Sequence, residues 1–317
     1  MNFIPHFKAT ILLLCFLSCT SSVFASDKNI NVVVTIKPIE ALVLAIAKDT
    51  VNIQRLLPDY ASLHDYHFRP SDIRKLHNAN LIFRIDEDME SFLTPLFKTL
   101  KKTDIISLAD NHEIQLHSFK ATDEQHTDHH HGSHHHHHNK DLHIWMSPHN
   151  GIVMAKAISQ ELAKKNPLYA DFYAKNLNTL TQEIEQFTED FSRKSKTFHK
   201  KPYIVFHDAW FYFSQSFHLN KLATISLHAD IQAGAKTIHD TRQIIAESHA
   251  SCLFSQPNFR PKTVNILIEG LTIKTAKIDA LASHLKTTPS LYLDLLNDTA
   301  QQVIQCLGTG VERLRIN

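Results

Sequence analysis

The chain lacks several features that mark common classes of protein. It has no HExxH motif, the helical signature of many zinc hydrolases, and no CxxC pair of the kind used in redox exchange. Its 33 Lys and Arg residues nearly balance its 32 Asp and Glu residues. This balance argues against nucleic acid or an anionic membrane as the main partner. Its first apolar run, at residues 9–18, is too short to cross a bilayer.

The first 25 residues have the pattern of a secretion signal. Lys8 supplies a positive charge, the short apolar run follows it, and the segment 23–25 (VFA) fits a small-residue cleavage site. We therefore expect residues 1–25 to be removed and the protein to be exported in soluble form. Cleavage before Cys19 to give a lipoprotein is the alternative, but the apolar residues preceding Ser18 suit that motif poorly.

Two cysteines remain after that cleavage, Cys252 and Cys306. In an exported chain, two cysteines most simply form one disulfide. Closing a loop of this length stabilises a fold by about 4 kcal/mol in the chain-entropy model. Because no CxxC spacing is present, the bond is expected to be structural.

Histidine is concentrated in one internal stretch. Nine of the thirteen residues from position 126 to 138 are histidine, in a chain with 24 in all. Neutral imidazole is a common ligand for transition metals, and the stretch has no apolar period from which a core could form. We interpret residues 125–140 as a loop that collects metal ions weakly through His126, His129, His130, His131, His134, His135, His136, His137 and His138.

Outside this loop, short apolar runs alternate with helical patterns. Strands are predicted at 31–36, 51–57, 81–85, 104–107, 203–206, 222–226, 253–255 and 274–278. Helical patterns follow most of these runs, and one is expected over residues 89–101. The alternation predicts an α/β fold with two parallel sheets.

A long helical pattern separates the two sets of strands. Apolar residues recur at steps of four and three from Tyr173 to Phe191, and no Pro or Gly interrupts the pattern between Pro167 and Pro202. The pattern favours a rigid helix joining two domains. We expect an N-terminal α/β domain at 26–165, a connecting helix at 166–198 and a C-terminal α/β domain at 199–317.

Four residues lie where a parallel α/β fold usually builds its site, beyond the carboxyl ends of predicted strands. They are His64, His143, His207 and Asp279. Singly, each is more simply a surface or capping residue. Two come from each half of the chain, so a site built from them would lie in the cleft between the halves.

The motifs around these residues resemble those of a known family. The segments LPDYASLHDYHFRPSD, HIWMSP, VFHDAWFYF and FSQPNFRP are similar to motifs of the zinc-binding proteins of bacterial ABC importers, in the zinc-specific branch of the cluster A-I metal-binding proteins. The resemblance extends from about residue 29 to Cys306. It implies two α/β domains joined by one long helix, with metal held between them, and it supports the disulfide.

The resemblance also implies a ligand set. The family's histidine ligands fall on His64, His143 and His207, and a carboxylate from the second domain falls on Asp279. Leu63 stands where some zinc-specific relatives have a glutamate, so either Asp279 or water is expected to complete the site. Three nitrogens and one oxygen form a tetrahedral set typical of Zn²⁺.

Less central residues complete the expectations for the site. Asp65 and Asp208 are candidates for orienting a histidine ring. His67, His149, His228 and His239 are expected to be polar surface or cleft residues, with His228 the substitute should Asp279 not bind.

The sequence therefore predicts a periplasmic Zn²⁺-binding protein that serves a membrane permease as a monomer and is not an enzyme. A manganese, nickel or cobalt carrier of the same family and a histidine-rich zinc buffer are the alternatives.

Overall fold

The computed structural model describes residues 30–59, 61, 66, 69–100, 103–118, 140–225, 235–257 and 261–308. The predicted signal peptide, the nine loop histidines, His64, Leu63, Asp65, His67 and His228 lie outside the described residues. Among the helices that are described, none is long and apolar enough to cross a membrane.

The N-terminal half is built on a parallel sheet with strand order β2-β1-β3-β4. Val32 to Val34 are fully buried, as expected for a strand covered on both faces. In chain order the elements are β1 (Ile30–Val34), α1 (Lys37–Ala47), β2 (Val51–Arg55), α2 (Pro70–His77), β3 (Leu81–Arg84), α3 (Thr94–Phe97), β4 (Asp104–Ser107), β5 (His117–Ser118), β6 (Lys140–Asp141) and α4 (Pro148–Lys165).

The C-terminal half repeats this architecture around a second parallel sheet. Its strand order is β10-β9-β7-β8. After the long helix α5 (Ala170–Ser195), the elements are β7 (Tyr203–Val205), α6 (Phe211–Ser216), β8 (Lys221–Thr224), α7 (Ala235–Glu247), β9 (Cys252–Ser255), α8 (Pro261–Ile268), β10 (Lys274–Lys277) and α9 (Leu291–Leu307). The α/β fold with two parallel sheets is confirmed.

Helix α5 connects the two halves, as its pattern predicts. Its 26 residues extend for about 39 Å at 1.5 Å per residue. Near its start, Tyr173 packs on the N-terminal half and its hydroxyl lies 3.0 Å from Thr50 Oγ1. Near its end, the ring of Phe191 stacks edge-on against Phe217, 4.6 Å away, just after α6. The bounds of the domains themselves remain a prediction.

One helix is much shorter than predicted. Residues 89–101 form only a 3-10 turn (Ser91–Leu93) and the four-residue helix α3. Pro95 cannot donate a backbone hydrogen bond, so it fits in the first turn of α3, directly after Thr94, but not in the interior of a longer helix. The apolar spacing alone did not reveal this interruption.

The two halves share one apolar core. The largest cluster of buried hydrophobic residues includes side chains from β1 and α1 at one end of the chain and from α9 at the other. Helix α9 packs against α1 and α5 as well as against β10. The disulfide between Cys252 and Cys306 joins β9 to α9, with the two Cα atoms 5.8 Å apart, and confirms the predicted pair.

A two-stranded antiparallel hairpin forms separately from the two parallel sheets. It pairs β5 with β6, and His117 stands opposite Asp141 in its register. Residues 119–139, which include the nine loop histidines, connect these two strands in the sequence. Ser118 and Lys140, on either side of that connection, are paired, and Lys140 lies three residues before His143.

Candidate metal centre

Two of the predicted ligands, one from each half, lie side by side. His143 follows β6 and opens a 3-10 turn (Ile144–Met146), whereas His207 follows β7 in the second sheet. Their ring centroids are 5.2 Å apart and the ring planes are inclined at 71°. This arrangement brings two imidazoles from distant parts of the sequence within reach of one metal ion.

The ring of His143 is oriented by a buried carboxylate. Asp141 Oδ1 accepts hydrogen bonds from the backbone N–H of His143 at 2.9 Å and contacts its Nδ1 at 2.8 Å. With Nδ1 facing the carboxylate, Nε2 is the nitrogen available to a metal. A carboxylate that holds the second nitrogen of an imidazole fixes its tautomer and raises its basicity as a ligand.

The charge on Asp141 is supported by its neighbours. Burial opposes ionisation, but the two histidines, above all His143 with its charge and hydrogen bonds, outweigh it and lower the pKa of Asp141. Its second oxygen, Oδ2, is buried with no hydrogen-bond partner among the described residues. A negative charge therefore lies directly behind the His143 ring, where it favours a bound cation.

The ring of His207 is oriented from its own half. Its Nδ1 lies 3.1 Å from Oε1 of Gln256, the residue after β9. Neighbouring strand ends thus supply an imidazole and the group that orients it.

Asp208 has a different role from the one predicted. It forms an ion pair with Lys221 on β8, and among the described residues its carboxylate makes no hydrogen bond to a histidine ring. Burial is the largest influence on this carboxyl group and raises its pKa against the opposing effect of Lys221. The carboxylate that orients His143 is Asp141, which the sequence reasoning missed.

Asp279 lies two residues after the end of β10, an edge strand of the second sheet. Its carboxylate organises the following turn: Oδ1 accepts from the N–H of Leu281 at 3.1 Å, and Oδ2 accepts from the N–H of Ser283 at 2.7 Å. Oδ2 also lies 3.2 Å from Nδ1 of His284. That histidine in turn reaches Asp298 through Nε2 at 3.5 Å.

These residues border a cavity of about 390 Å³ lined by Pro257, Lys277, Asp279, His284, Asp298 and Gln302. Within the part of the chain that the structure describes, no three His, Cys, Asp or Glu side chains lie close enough together to hold a metal ion. His64 lies outside that part. The structure therefore brings together His143 and His207, and it leaves the contributions of His64 and Asp279 as predictions.

The structure describes two of the four histidines that were predicted to be surface or cleft residues. His149 on α4 and His239 on α7 are exposed, in agreement with the surface positions expected for them. The groups that sequence reasoning missed are Asp141 and Gln256. Both could have been noticed in the sequence, because Asp141 stands two residues before His143 and Gln256 belongs to the motif FSQPNFRP.

Comparison with known proteins decides the family. The model of the zinc-uptake complex component A periplasmic family, ZnuA, matches residues 32–306. The chain belongs to the ZnuA family. It is 32% identical over 312 residues to the high-affinity zinc uptake system protein ZnuA of Haemophilus ducreyi, covering 95% of this chain and 99% of that protein. Identity to the protein of that name from Yersinia pestis is 30% over 288 residues, with coverages of 87% and 91%.

Solved structures agree on the fold. The laminin-binding adhesin Lmb of Streptococcus agalactiae, as a mutant, is similar with a TM-score of 0.73 at 19% identity, covering 88% of this chain and 100% of that one. A crystal structure of ZnuA gives a TM-score of 0.72 at 20% identity, with coverages of 88% and 99%. These likenesses place the two sheets and the long helix in an established architecture.

Proposed function

We propose that this protein is a periplasmic solute-binding protein that captures Zn²⁺ and delivers it to the permease of an ABC importer. The observation that carries the proposal is the meeting of His143 and His207 between the two halves, each with its Nδ1 held by a polar side chain. Family membership supports the cargo and the membrane partner. Binding and release, with no chemical step, are all that this function requires.

The proposed ligands are His64, His143, His207 and Asp279. Three imidazoles with one carboxylate form a set that suits Zn²⁺, whereas Mn²⁺ favours sites richer in oxygen. For Asp279 to bind metal, one carboxylate oxygen must keep its backbone hydrogen bond and offer its second lone pair. If that geometry is not reached, water takes the fourth position.

Calorimetry on single variants tests the site. His143→Ala and His207→Ala are each expected to abolish tight one-to-one Zn²⁺ binding, because each removes a ligand that one half supplies. His149→Ala is the matched control, since this histidine is exposed on α4 and should leave binding unchanged. Undiminished affinity in both ligand variants would refute the proposed site. Competition titrations against Mn²⁺, Ni²⁺ and Co²⁺ would rank the cargo.

The fourth ligand has its own test. Asp279→Asn is expected to weaken Zn²⁺ binding if the carboxylate binds the metal and to leave it unchanged if water does. Asp298→Asn is a suitable control, because Asp298 contacts the same His284 but is not a proposed ligand. Anomalous scattering at the zinc edge from a metal-bound crystal would locate every ligand, including His64.

A histidine-rich zinc buffer is the second candidate, favoured by the nine histidines of the loop. Each loop ring must be ordered when it binds, so such sites are expected to be weak. Deletion of residues 125–139, which spares both strands of the hairpin, discriminates between the two. The transport proposal predicts that one tight site survives the deletion, whereas the buffer alternative predicts that little binding remains.

Export by cleavage after Ala25 and a monomeric state belong to the same proposal. Mass spectrometry of the mature protein distinguishes this cleavage from lipid attachment at Cys19. Sedimentation at micromolar concentration, with and without Zn²⁺, measures the oligomeric state.

A further inference from the structure

A buried tyrosine hydroxyl lies between the segments that carry the two paired histidines. Tyr212 belongs to α6 and is 3% exposed. Its hydroxyl donates a hydrogen bond to the backbone carbonyl of Asp141 at 2.6 Å and accepts one from the backbone N–H of His117 at 2.9 Å. One side chain of the C-terminal half thus holds both strands of the β5–β6 hairpin of the N-terminal half.

The path of bonds and hydrogen bonds from this hydroxyl to each histidine is short. On one side, Asp141 accepts the tyrosine through its backbone carbonyl and holds His143 through its carboxylate. On the other side, Tyr212 follows His207 by five residues, in the first turn of α6. This hydrogen bond therefore links the chain segment that carries His143 to the segment that carries His207.

We propose that Tyr212 is a positioning residue that sets the separation and angle of His143 and His207, and with them the geometry of the metal site. The inference rests on the function proposed above. Two nitrogens bound to one tetrahedral zinc at about 2.0–2.1 Å must lie about 3.3 Å apart. Ligands of this kind must be held to within about 0.5 Å, so a hydrogen bond that fixes one ligand segment against the other acts on affinity.

The two hydrogen bonds of the hydroxyl distinguish this positioning role from simple packing of the Tyr212 ring. Phenylalanine at position 212 would fill the same space, but the carbonyl of Asp141 and the N–H of His117 would lose their shared partner. Tyr173 provides a matched comparison. It is also fully buried and its hydroxyl also hydrogen-bonds, but to Thr50, which precedes β2 at the amino end of the strand, away from the carboxyl ends that face the cleft.

The experiment compares the full mature chain with its Tyr212→Phe and Tyr173→Phe variants. Zinc affinity is measured by competition with a chromophoric chelator, and zinc dissociation by stopped flow. The d–d spectrum of one equivalent of Co²⁺ reports the ligand geometry. For Tyr212→Phe we expect zinc affinity to fall about tenfold, with faster dissociation and an altered Co²⁺ spectrum. For Tyr173→Phe we expect wild-type metal binding.

The outcomes are distinct. Wild-type affinity and an unchanged Co²⁺ spectrum in Tyr212→Phe would overturn the inference, and so would equal losses in both variants, because those would reflect general loosening of the fold. If the wild-type protein itself had no tight one-to-one site, the proposed function would fail first. A combined Tyr212→Phe and Asp141→Asn variant adds a check: since Tyr212 acts through Asp141, the two losses should be less than additive.

Discussion

Replacement of Asp141 by asparagine should weaken zinc binding strongly while leaving the fold intact. The side chain keeps its shape and one oxygen that can accept from His143, but it loses its charge. From the 2.8 Å contact to Nδ1, the width of the ring and a Zn–N bond of about 2 Å, the carboxylate lies about 7 Å from the metal. At an effective dielectric constant of about 20, its attraction for a divalent ion is on the order of 5 kcal/mol.

The measured loss should be smaller than this Coulomb energy. Asparagine retains a dipole that faces the ring, and the surroundings relax when the charge is removed. Changes to groups that orient metal-binding histidines typically cost about 10–100-fold in affinity, or about 1.4–2.7 kcal/mol. We therefore expect Asp141→Asn to lower zinc affinity by at least about tenfold.

The assay is chelator competition with the mature protein, with Asp208→Asn as the control. Asp208 is a carboxylate in the same neighbourhood whose side chain is 12% exposed, but its contact is with Lys221. If orientation of the ring matters, Asp141→Asn should lose far more affinity than Asp208→Asn. Equal losses of zinc affinity in the two variants would mean that the nearby negative charge, and not orientation of the His143 ring, determines affinity. Wild-type affinity in Asp141→Asn would refute the reasoning altogether.

Three further predictions concern the frame around the site. Gly151→Ala should destabilise the fold by about 1–3 kcal/mol, because its Cβ would lie 2.0 Å from the hydroxyl oxygen of Tyr292. Lys37→Met should cost about 1–3 kcal/mol, because this buried ammonium group donates to two backbone carbonyls of the C-terminal half. Serine at both Cys252 and Cys306 should cost about 4 kcal/mol and preserve zinc stoichiometry.

Urea denaturation of the apo-protein measures all three free energies of unfolding. Lys164→Met is a control for the lysine variant, because its partner Glu161 lies one turn away on the same helix at the surface. Wild-type stability in Gly151→Ala would mean that α4, which carries Gly151, can move away from Tyr292 on α9 at little cost in free energy. Loss of the zinc site along with the disulfide would contradict a purely structural role for that bond.

The parallel strands and the long helix could be predicted because they depend on hydrophobic periodicity and on continuous apolar segments. Buried strands such as 32–34 and the long apolar stripe of α5 are strong local signals that tertiary packing reinforces. The β5–β6 hairpin could not be found in this way. Its strands contain two residues each, and the 21 residues between them carry no apolar pattern.

The site was only partly predictable for a related reason. His207 follows a predicted strand and His143 lies in the motif HIWMSP, so both could be picked out from the sequence as candidate ligands. Which carboxylate faces a given ring depends on side-chain direction at a particular turn. Asp141 was therefore missed, and Asp208, one of two candidates for orienting a ring, pairs with Lys221 instead. The burial of Lys37 in α1 was equally hidden, since a lysine in a helix usually faces solvent.

Release of the ion depends on how firmly the halves are joined. Trp145 Nε1 donates to the carbonyl of Ala280 at 2.7 Å, and the hydroxyl of Tyr292 donates to the carbonyl of Trp145 at 2.8 Å. Lys37 Nζ adds a bond to the carbonyl of Leu285 at 2.7 Å. Opening the cleft as two rigid bodies would leave these buried groups unpaired, at about 1–3 kcal/mol each.

The same bonds determine which ligands can move together. Trp145 lies two residues after His143, and Ala280 follows Asp279, so their hydrogen bond ties the segments of two proposed ligands, one from each half, into one unit. His207 is tied to the same unit through Tyr212 and the hairpin. Separation of the halves would therefore have to break the contacts that orient the proposed ligands as well as the bonds of those ligands to a metal. Movement of a single ligand segment, with the frame kept closed, is the less costly route for the ion to leave.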